Sequence, residues 1–219
     1  MFSMDYNFDV CFVLDVSGSM APIMPKVKEQ IKMAPCRLVD DLACAGRKVG
    51  QLRVALVTFT DFATDGDGAI RATRFFSVPD EEAEFFRAVD AVRIGKGGDR
   101  HNGLEALYRA ILMDWTPLGA QRGRHIIVEV TNRAALPLGA RGAAYPANIA
   151  SLENVWMEGS DDSRIRLNPR FKRLMLYAPS CKEWDDVRGW DYSLSYELEE
   201  NGDWIEIGMD DIIAEMVRS

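Results

Sequence analysis

An apolar run near the amino terminus stops at a carboxylate, and two hydroxyls follow it at alternate positions. Phe8 to Leu14 is nearly continuous in apolar residues, as expected for a strand buried on both faces of a parallel sheet, and Asp15, Ser17 and Ser19 come next. Alternate residues of an extended segment point the same way, so these three side chains can aim their oxygens at one point. Together they would form part of the oxygen cage that Mg2+ prefers. The simpler interpretation is a strand end followed by a helix cap.

At Asp15-Val16-Ser17-Gly18-Ser19 the chain resembles the von Willebrand factor type A (VWA) family. The metal-ion-dependent adhesion site (MIDAS) of that family begins with Asp-x-Ser-x-Ser after the first buried strand. The resemblance implies an α/β fold, with a Rossmann-like, doubly wound and mostly parallel sheet between two layers of helices. It extends over residues 6–178. Residues 179–219 fit it only as a strand-and-helix extension, so we expect one VWA-like domain over 1–219, of the intracellular bacterial type with a variant MIDAS.

Hydrophobic periodicity supports an alternation of strands and helices along the chain. It predicts strands at 52–59, 125–130, 173–177 and 204–207, with an edge strand or hairpin arm at 69–78. Helices are predicted at 26–45, 79–92, 104–115, 147–157 and 209–217. Pro35 should kink or split the first helix. Such alternation is typical of a parallel sheet that is covered on both faces.

Composition narrows the classes of partner. The formal net charge of −8 argues against nucleic acid or an anionic membrane as a partner. The chain has no apolar run of the roughly 20 residues that a membrane span needs, and its first residues do not resemble a signal peptide. We therefore expect a cytoplasmic protein. The spacing of the four cysteines fits no zinc motif, which predicts buried free thiols in a reducing compartment.

The resemblance implies that two further loops complete the metal site. The family has a threonine, or in some branches an acid, in a loop before a helix, and an aspartate after the next central strand. In this chain the first loop has no threonine, so Asp99 is the predicted ligand and Asn102 a less certain one. The second loop reads Thr131-Asn132, with an amide where the family has a carboxylate. Either a carboxylate has moved between loops, so that Asp15 and Asp99 both face the cation, or the site binds metal poorly or not at all.

The resemblance implies recognition rather than catalysis. A cation held by Asp15, Ser17, Ser19, Asp99 and Asn132 would keep one position open for a Glu or Asp carboxylate of a partner protein. We thus predict a metal-dependent protein–protein interaction module that is not an enzyme. The ion is expected to be Mg2+, with Mn2+ and Ca2+ as alternatives. The module would belong to an intracellular multiprotein complex of a stress or defence system, with an AAA-type ATPase as a candidate partner.

Two other function classes stay open. The first is a metal-independent interaction scaffold that uses the aromatic and acidic segment 184–192, although its tryptophans could equally pack over the sheet edge. The second is a metal-dependent phosphoester hydrolase, which needs a general base or a nucleophile beside the metal. His101 is the only histidine in the predicted site loops, and we expect it to be a solvated or packing residue. The glycine-rich loop 95–103 lacks the pattern of a phosphate-binding loop.

Overall fold

The computed structural model describes residues 5–118, 122–139, 144–158, 167–199 and 209–218. The strands in these ranges are β1 (Tyr6–Asp15), β2 (Val49–Phe59), β3 (Ile70–Ala72), β4 (Phe76–Val78), β5 (Arg100–His101), β6 (Arg122–Val130), β7 (Ala134–Ala135), β8 (Lys172–Pro179) and β9 (Ser193–Leu198). The helices are α1 (Met24–Cys44), α2 (Phe62–Asp65), α3 (Glu82–Asp90), α4 (Gly103–Ile111), α5 (Ile149–Glu158), α6 (Lys182–Arg188) and α7 (Met209–Arg218). Two short 3-10 turns lie at Gly18–Met20 and Gly66–Ala69.

The central sheet is mostly parallel. Its strand order is β3-β2-β1-β6-β8-β9, and β4 also pairs with β2. All the pairings among β2, β1, β6, β8 and β9 are parallel, whereas β3 and β4 run antiparallel to β2 at one edge. The predicted α/β class, a mostly parallel sheet with helices on its faces, is therefore confirmed.

The alternation of side chains along β1 explains why helices cover both faces of the sheet. Phe8, Val10, Phe12 and Leu14 belong to one buried cluster, which also contains side chains of α1, α3 and α7. The intervening Cys11 and Val13 belong to a second cluster, with side chains of α4, α5 and α6. Because neighbouring residues of a strand face opposite sides, a strand that is apolar at nearly every position needs a layer on each side.

Two predicted features of the helices differ from the structure. α1 continues through Pro35 as one helix, so of the predicted kink or split, the split does not occur. Pro35 lies on the buried side of α1, where packing on the sheet offsets the backbone hydrogen bond that proline cannot make. α4 ends at Ile111, earlier than predicted, and the indole Nε1 of Trp115 donates to the carbonyl of Ala110 in its last turn (3.0 Å). The apolar residues after Ile111 therefore pack as a non-helical segment.

The C-terminal part of the chain contributes to the central sheet. β9 pairs with β8 at the edge, and α6 connects the two; the sequence predicted neither of these elements. The predicted strand at 204–207 lies outside the described residues. Four side chains of α7 are buried in the cluster that contains α1, namely Met209, Ile212, Ile213 and Met216.

The four cysteines are free thiols, but only Cys11 is buried. Cys36 and Cys44 are exposed on α1 and Cys181 is intermediate, so the expectation of four buried thiols is wrong. Cys36 directly follows the buried Pro35, and Cys44 lies in the last turn of α1 after its last buried residue, Leu42. Of the helices in the described ranges, none combines the length and the apolar character needed to cross a bilayer.

Candidate functional site

The candidate site lies at the carboxyl end of β1, in the middle of the sheet. Asp15 is paired with Phe59 of β2 on one side, and Leu14 is paired with Val130 of β6 on the other. The strand that follows β1 in sequence, β2, thus lies on one side of it, and the later strand β6 lies on the other. In open α/β sheets, the point where the strand order reverses in this way leaves a crevice beyond the strand ends. Loops that follow β1 and β6 meet here, together with the loop that precedes α4.

A two-residue strand pair holds two of these loops together. β5, before α4, pairs in parallel with β7, after β6. The backbone N–H of Leu136 extends this pair by donating to the carbonyl of His101 (2.8 Å). The pairing places the His101 side chain and the segment that begins at Thr131 against the same carboxylate, that of Asp15.

The carboxylate of Asp15 is completely buried and accepts hydrogen bonds from three groups. The backbone N–H of Ser17 donates to Oδ1 (2.9 Å). The hydroxyl of Thr131 donates to Oδ2 (2.7 Å), and Nδ1 of His101 lies 2.7 Å from the same oxygen. Hydrogen bonds of this kind compensate the cost of burying a carboxylate. Asp15 is therefore the structural anchor of the site, and its oxygens are directed at protein donors.

Three further oxygens form a short hydrogen-bonded chain, which we call the oxygen cluster: Ser17 Oγ, Ser19 Oγ and Asn132 Oδ1. The two serine oxygens are 3.0 Å apart, and Ser19 donates to Asn132 (3.1 Å) across 113 residues of sequence. Nε of Arg133 also reaches Ser19 Oγ, at 3.5 Å. Since the one hydroxyl proton of Ser19 goes to Asn132, Ser17 must donate to Ser19.

The structure brings together four of the predicted site residues, Asp15, Ser17, Ser19 and Asn132. It does not bring Asp99 to them: this side chain is exposed and contacts none of the four. β5 begins at the next residue, and it is His101 that turns inward to Asp15. The less certain candidate, Asn102, is buried and instead accepts a hydrogen bond from the backbone N–H of Phe62 (2.9 Å). A ligand role for Asp99 stays a prediction that this geometry does not favour.

Sequence reasoning missed His101, which we expected to be a solvated or packing residue. Its side chain is 1% exposed, and both ring nitrogens face acceptors: Nδ1 faces Asp15, and Nε2 lies 3.0 Å from the carbonyl of Gly98. These two contacts fix the orientation of the imidazole ring beside Asp15. A histidine in a polar loop carries no periodicity; the one available signal was its place two residues before a helix.

A glycine-rich turn closes over the site. Gly97 has φ +66°, and a Cβ at this position would lie 2.6 Å from Cβ of Ser17 and 2.8 Å from Nε2 of His101. The carboxylate of Asp65 holds the turn by accepting the backbone N–H groups of Lys96 (3.1 Å to Oδ2) and Gly97 (3.0 Å). The bond from Gly97 contributes most to lowering the pKa of Asp65 to about 2.

A second carboxylate, that of Glu129, lies buried near Asp15. Glu129 is on β6, and neither of its carboxylate oxygens has a hydrogen-bond partner among the described residues. Burial, and secondarily the charge of Asp15, raise its pKa well above the ordinary value. Glu129 therefore favours the neutral form and does not supply the negative charge that the site lacks at Asn132.

The oxygen cluster matches a divalent cation in spacing but not in charge. Neighbouring ligands of octahedral Mg2+ are about 2.9 Å apart, close to the 3.0 and 3.1 Å separations at Ser19. However, Ser19 Oγ already uses its proton on Asn132 and accepts from Ser17 and Arg133, which occupies its hydrogen-bonding capacity. The carboxylate of Asp15 already accepts from three protein donors, so it is not free to face an ion. In the described ranges, no group of three His, Cys, Asp or Glu side chains could hold a metal.

No protein-family model matches the chain, and no curated protein sequence does. Solved structures do match it. A von Willebrand factor type A protein from Catenulispora acidiphila aligns over 97% of this chain, with a TM-score of 0.54 and 15% identity. The chain has the VWA fold. The pilus adhesin SpaC from Lactobacillus rhamnosus GG aligns over 97% of the chain, with a TM-score of 0.58 and 10% identity.

A third match links the VWA fold to a metal. Proximal thread matrix protein 1 from the mussel byssus, in a structure with a zinc-occupied MIDAS motif, aligns over 98% of the chain with a TM-score of 0.51 and 13% identity. This chain spans 31%, 42% and 47% of the length of the adhesin, the Catenulispora protein and the matrix protein, respectively. At these identities the matches establish the fold alone.

Proposed function

We propose that the chain is a protein-interaction module that binds an acidic side chain of a partner at the oxygen cluster. The observation that carries this proposal is the convergence of Ser17, Ser19 and Asn132 at the carboxyl edge of a VWA sheet. Beside them, the guanidinium of Arg133 supplies a positive charge that has no acidic partner among the described residues. An acidic group would complement this edge despite the net charge of −8, because contacts depend on the local charges.

In one of two forms of the proposal, a divalent cation mediates the contact, with Mg2+ as the first choice. Ser17, Ser19 and Asn132 would hold the ion, and Asp15 would lie behind them. When bound, the ion would present a concentrated positive charge to the carboxylate of the partner. The zinc in the MIDAS motif of the mussel matrix protein supports this form. The contact between Arg133 and Ser19 supports the metal-independent alternative.

Capture of partners from the native cell tests the proposal. We would compare wild type, Ser19→Ala and the control Ser180→Ala, whose hydroxyl lies on the exposed surface next to α6. Ser19→Ala should lose partners that Ser180→Ala retains. Equal capture by all three proteins would exclude the oxygen cluster as the docking site. Each capture is run in Mg2+ and in chelator, and a difference between the two measures the role of a cation.

The context of the module is proposed on the resemblance alone. A cytoplasmic location, a stress or defence system and an AAA-type ATPase as partner follow from what the VWA resemblance implies. Identification of the captured proteins by mass spectrometry tests all three. An ATPase that is retained by wild type and lost from Ser19→Ala would support the partner class, whereas its equal recovery with both proteins would not.

Two alternative functions are less well supported by the geometry. The interaction surface expected at 184–192 lacks its central side chains, because Trp184 and Trp190 are 0% and 4% exposed. A hydrolase would need a general base or a nucleophile beside a metal, but His101 is directed at Asp15 and Gly98, while Ser17 bonds to Ser19. We expect no turnover of generic phosphoesters in Mn2+. Turnover that is abolished by Ser17→Ala would instead favour the hydrolase.

A further inference from the structure

We propose that Arg133 takes the part of a cation at the oxygen cluster, so that the cluster binds a carboxylate directly, without a resident divalent metal. This inference rests on the proposed function and names the group that carries it. Its starting point is the disagreement between the cluster and a metal: the spacing of the oxygens suits the ion, whereas their hydrogen bonds and the surrounding charges do not.

The backbone of Arg133 is fixed on both sides. Its N–H donates to the hydroxyl of Thr131 (3.1 Å), and its carbonyl accepts from the indole Nε1 of Trp184 (3.2 Å). Trp184 is completely buried, and β7 begins directly after Arg133. The side chain therefore extends from a rigid base. A cationic group that is held in place loses little conformational freedom on binding, which favours its use in recognition.

The guanidinium of Arg133 has no acidic partner among the residues that the structure describes. Its one side-chain hydrogen bond to these residues runs from Nε to Ser19 Oγ, at 3.5 Å, and the side chain is half-buried. The neighbouring Arg100, by contrast, is paired with Glu183 at 2.6 Å. The two terminal nitrogens of Arg133 thus keep their donors for a ligand. A planar guanidinium can bind a carboxylate through two parallel hydrogen bonds.

The same contacts disfavour a metal ion. Arg133 and Ser17 both donate to Ser19 Oγ, so a cation would have to displace the arginine to reach that oxygen. It would then lie beside the positive charge of Arg133, which has no acidic partner among the described residues. Removing the charge of Arg133 should therefore improve access for a cation while weakening the capture of a carboxylate. These opposite effects distinguish a cation substitute from a residue that merely supports the fold.

The experiment uses the full chain labelled with 15N and a blocked glutamate, N-acetylglutamate methylamide, as the probe; blocked glutamine is the neutral control ligand. Wild type, Arg133→Gln, Arg133→Lys and Arg109→Gln are titrated in EDTA and in Mg2+. Arg109 is exposed on α4, so its replacement matches the change in net charge away from the site. The Nε–H signal of Arg133 and the amides of Ser17 and Ser19 report binding. In a parallel titration, Mn2+ broadens the signals near any bound ion.

We expect wild type to bind the glutamate probe in EDTA and Arg109→Gln to match it. The affinity of Arg133→Gln for the probe should be lower by a factor of about ten or more. Arg133→Lys should keep part of the affinity. Mn2+ should broaden the Ser17 and Ser19 amides at lower concentration in Arg133→Gln than in wild type. Binding that requires Mg2+ and is unchanged in Arg133→Gln would overturn this inference and leave the proposed function standing. Binding in neither EDTA nor Mg2+ would overturn both.

Discussion

At the scale of single residues, the site is organised by one buried carboxylate. Alternation along an extended segment predicted that the side-chain oxygens of Asp15, Ser17 and Ser19 would meet. The two serine oxygens do, whereas Asp15 accepts from the backbone N–H of Ser17. Side-chain direction in a loop has no such rule. The sequence therefore could not predict that His101, two residues after Asp99, is the one that turns inward to Asp15. The tertiary pairing of two loops decides this, and local sequence carries no record of it.

Replacing Thr131 by valine tests how strongly the Asp15 network stabilises the protein. Thr131→Val keeps the shape of the side chain but removes the 2.7 Å hydrogen bond to the buried carboxylate. We expect the free energy of unfolding, measured in urea, to fall by about 1–3 kcal/mol. The control is Thr58→Val on β2, whose hydroxyl forms no hydrogen bond to any described residue. Equal effects of the two substitutions would contradict a special role for Thr131.

The buried Glu129 predicts a pH dependence of stability. Its pKa is raised in the folded protein, so above the ordinary glutamate pKa, about 4.3, the unfolded chain loses its proton while the folded protein keeps it. This contribution to stability is complete below that value and declines as pH rises, by up to about 1.4 kcal/mol per pH unit. Glu129→Gln cannot titrate, so its stability relative to wild type should increase from pH 5 to pH 7.

Urea unfolding at several pH values between 5 and 7 measures this difference. The control is Glu29→Gln, at an exposed position of α1, which shows what the loss of a surface carboxylate does by itself. Parallel pH profiles for wild type and Glu129→Gln would show that Glu129 does not keep its proton in the folded protein.

At the scale of elements, length decided what the sequence could predict. The strands β1, β2, β6 and β8 and the helices α1, α3, α4, α5 and α7 are long enough to show their periodicity. β5 and β7 have two residues each, too few for any pattern, although they hold the site loops together. The sequence did not predict α6 or β9 either, because mixed aromatic and acidic residues conceal the alternation in that segment.

Gly97 tests the turn that closes over the oxygen cluster. Gly97→Ala would combine an unfavourable positive φ with a clash against Ser17 and His101. Gly46→Ala is a matched control: φ is +73° there, and a Cβ would meet nothing within 4 Å. We expect Gly46→Ala to lower the free energy of unfolding by about 1 kcal/mol, and Gly97→Ala by about 1–3 kcal/mol more. Equal losses in urea unfolding would mean that the turn can move away from the site.

At the scale of the whole molecule, the C-terminal elements are integral to the two packed layers. β9 completes one edge of the sheet, and α7 adds buried side chains to the layer that contains α1. The resemblance covered residues 6–178 well and predicted only a strand and a helix beyond. Long-range pairing of β9 with β8 follows from the packing of the complete sheet, which no local pattern records. The single domain over 1–219 stays a prediction, and α7 offers a way to test it.

Ile213→Ala measures how firmly α7 belongs to the core. Ile213 is completely buried, so the substitution should leave a cavity and lower the free energy of unfolding by about 2–5 kcal/mol in a single cooperative transition. Val39→Ala on α1 is the control: Val39 is 37% exposed, and we expect a change within about 0.5 kcal/mol. A separate early transition in Ile213→Ala, with the rest of the molecule unaffected, would show that α7 is a detachable appendage.

The pairing of β5 with β7 also constrains how the site can change. Each strand positions a side chain at the binding edge: β5 contains His101, and β7 begins directly after Arg133. Lengthening either loop by a single residue should shift the register and break the pairing of β5 with β7. The positions of the two loops are therefore coupled through this strand pair. We therefore expect that displacing one loop also displaces the other, and that an insertion in one needs a compensating change in its neighbour.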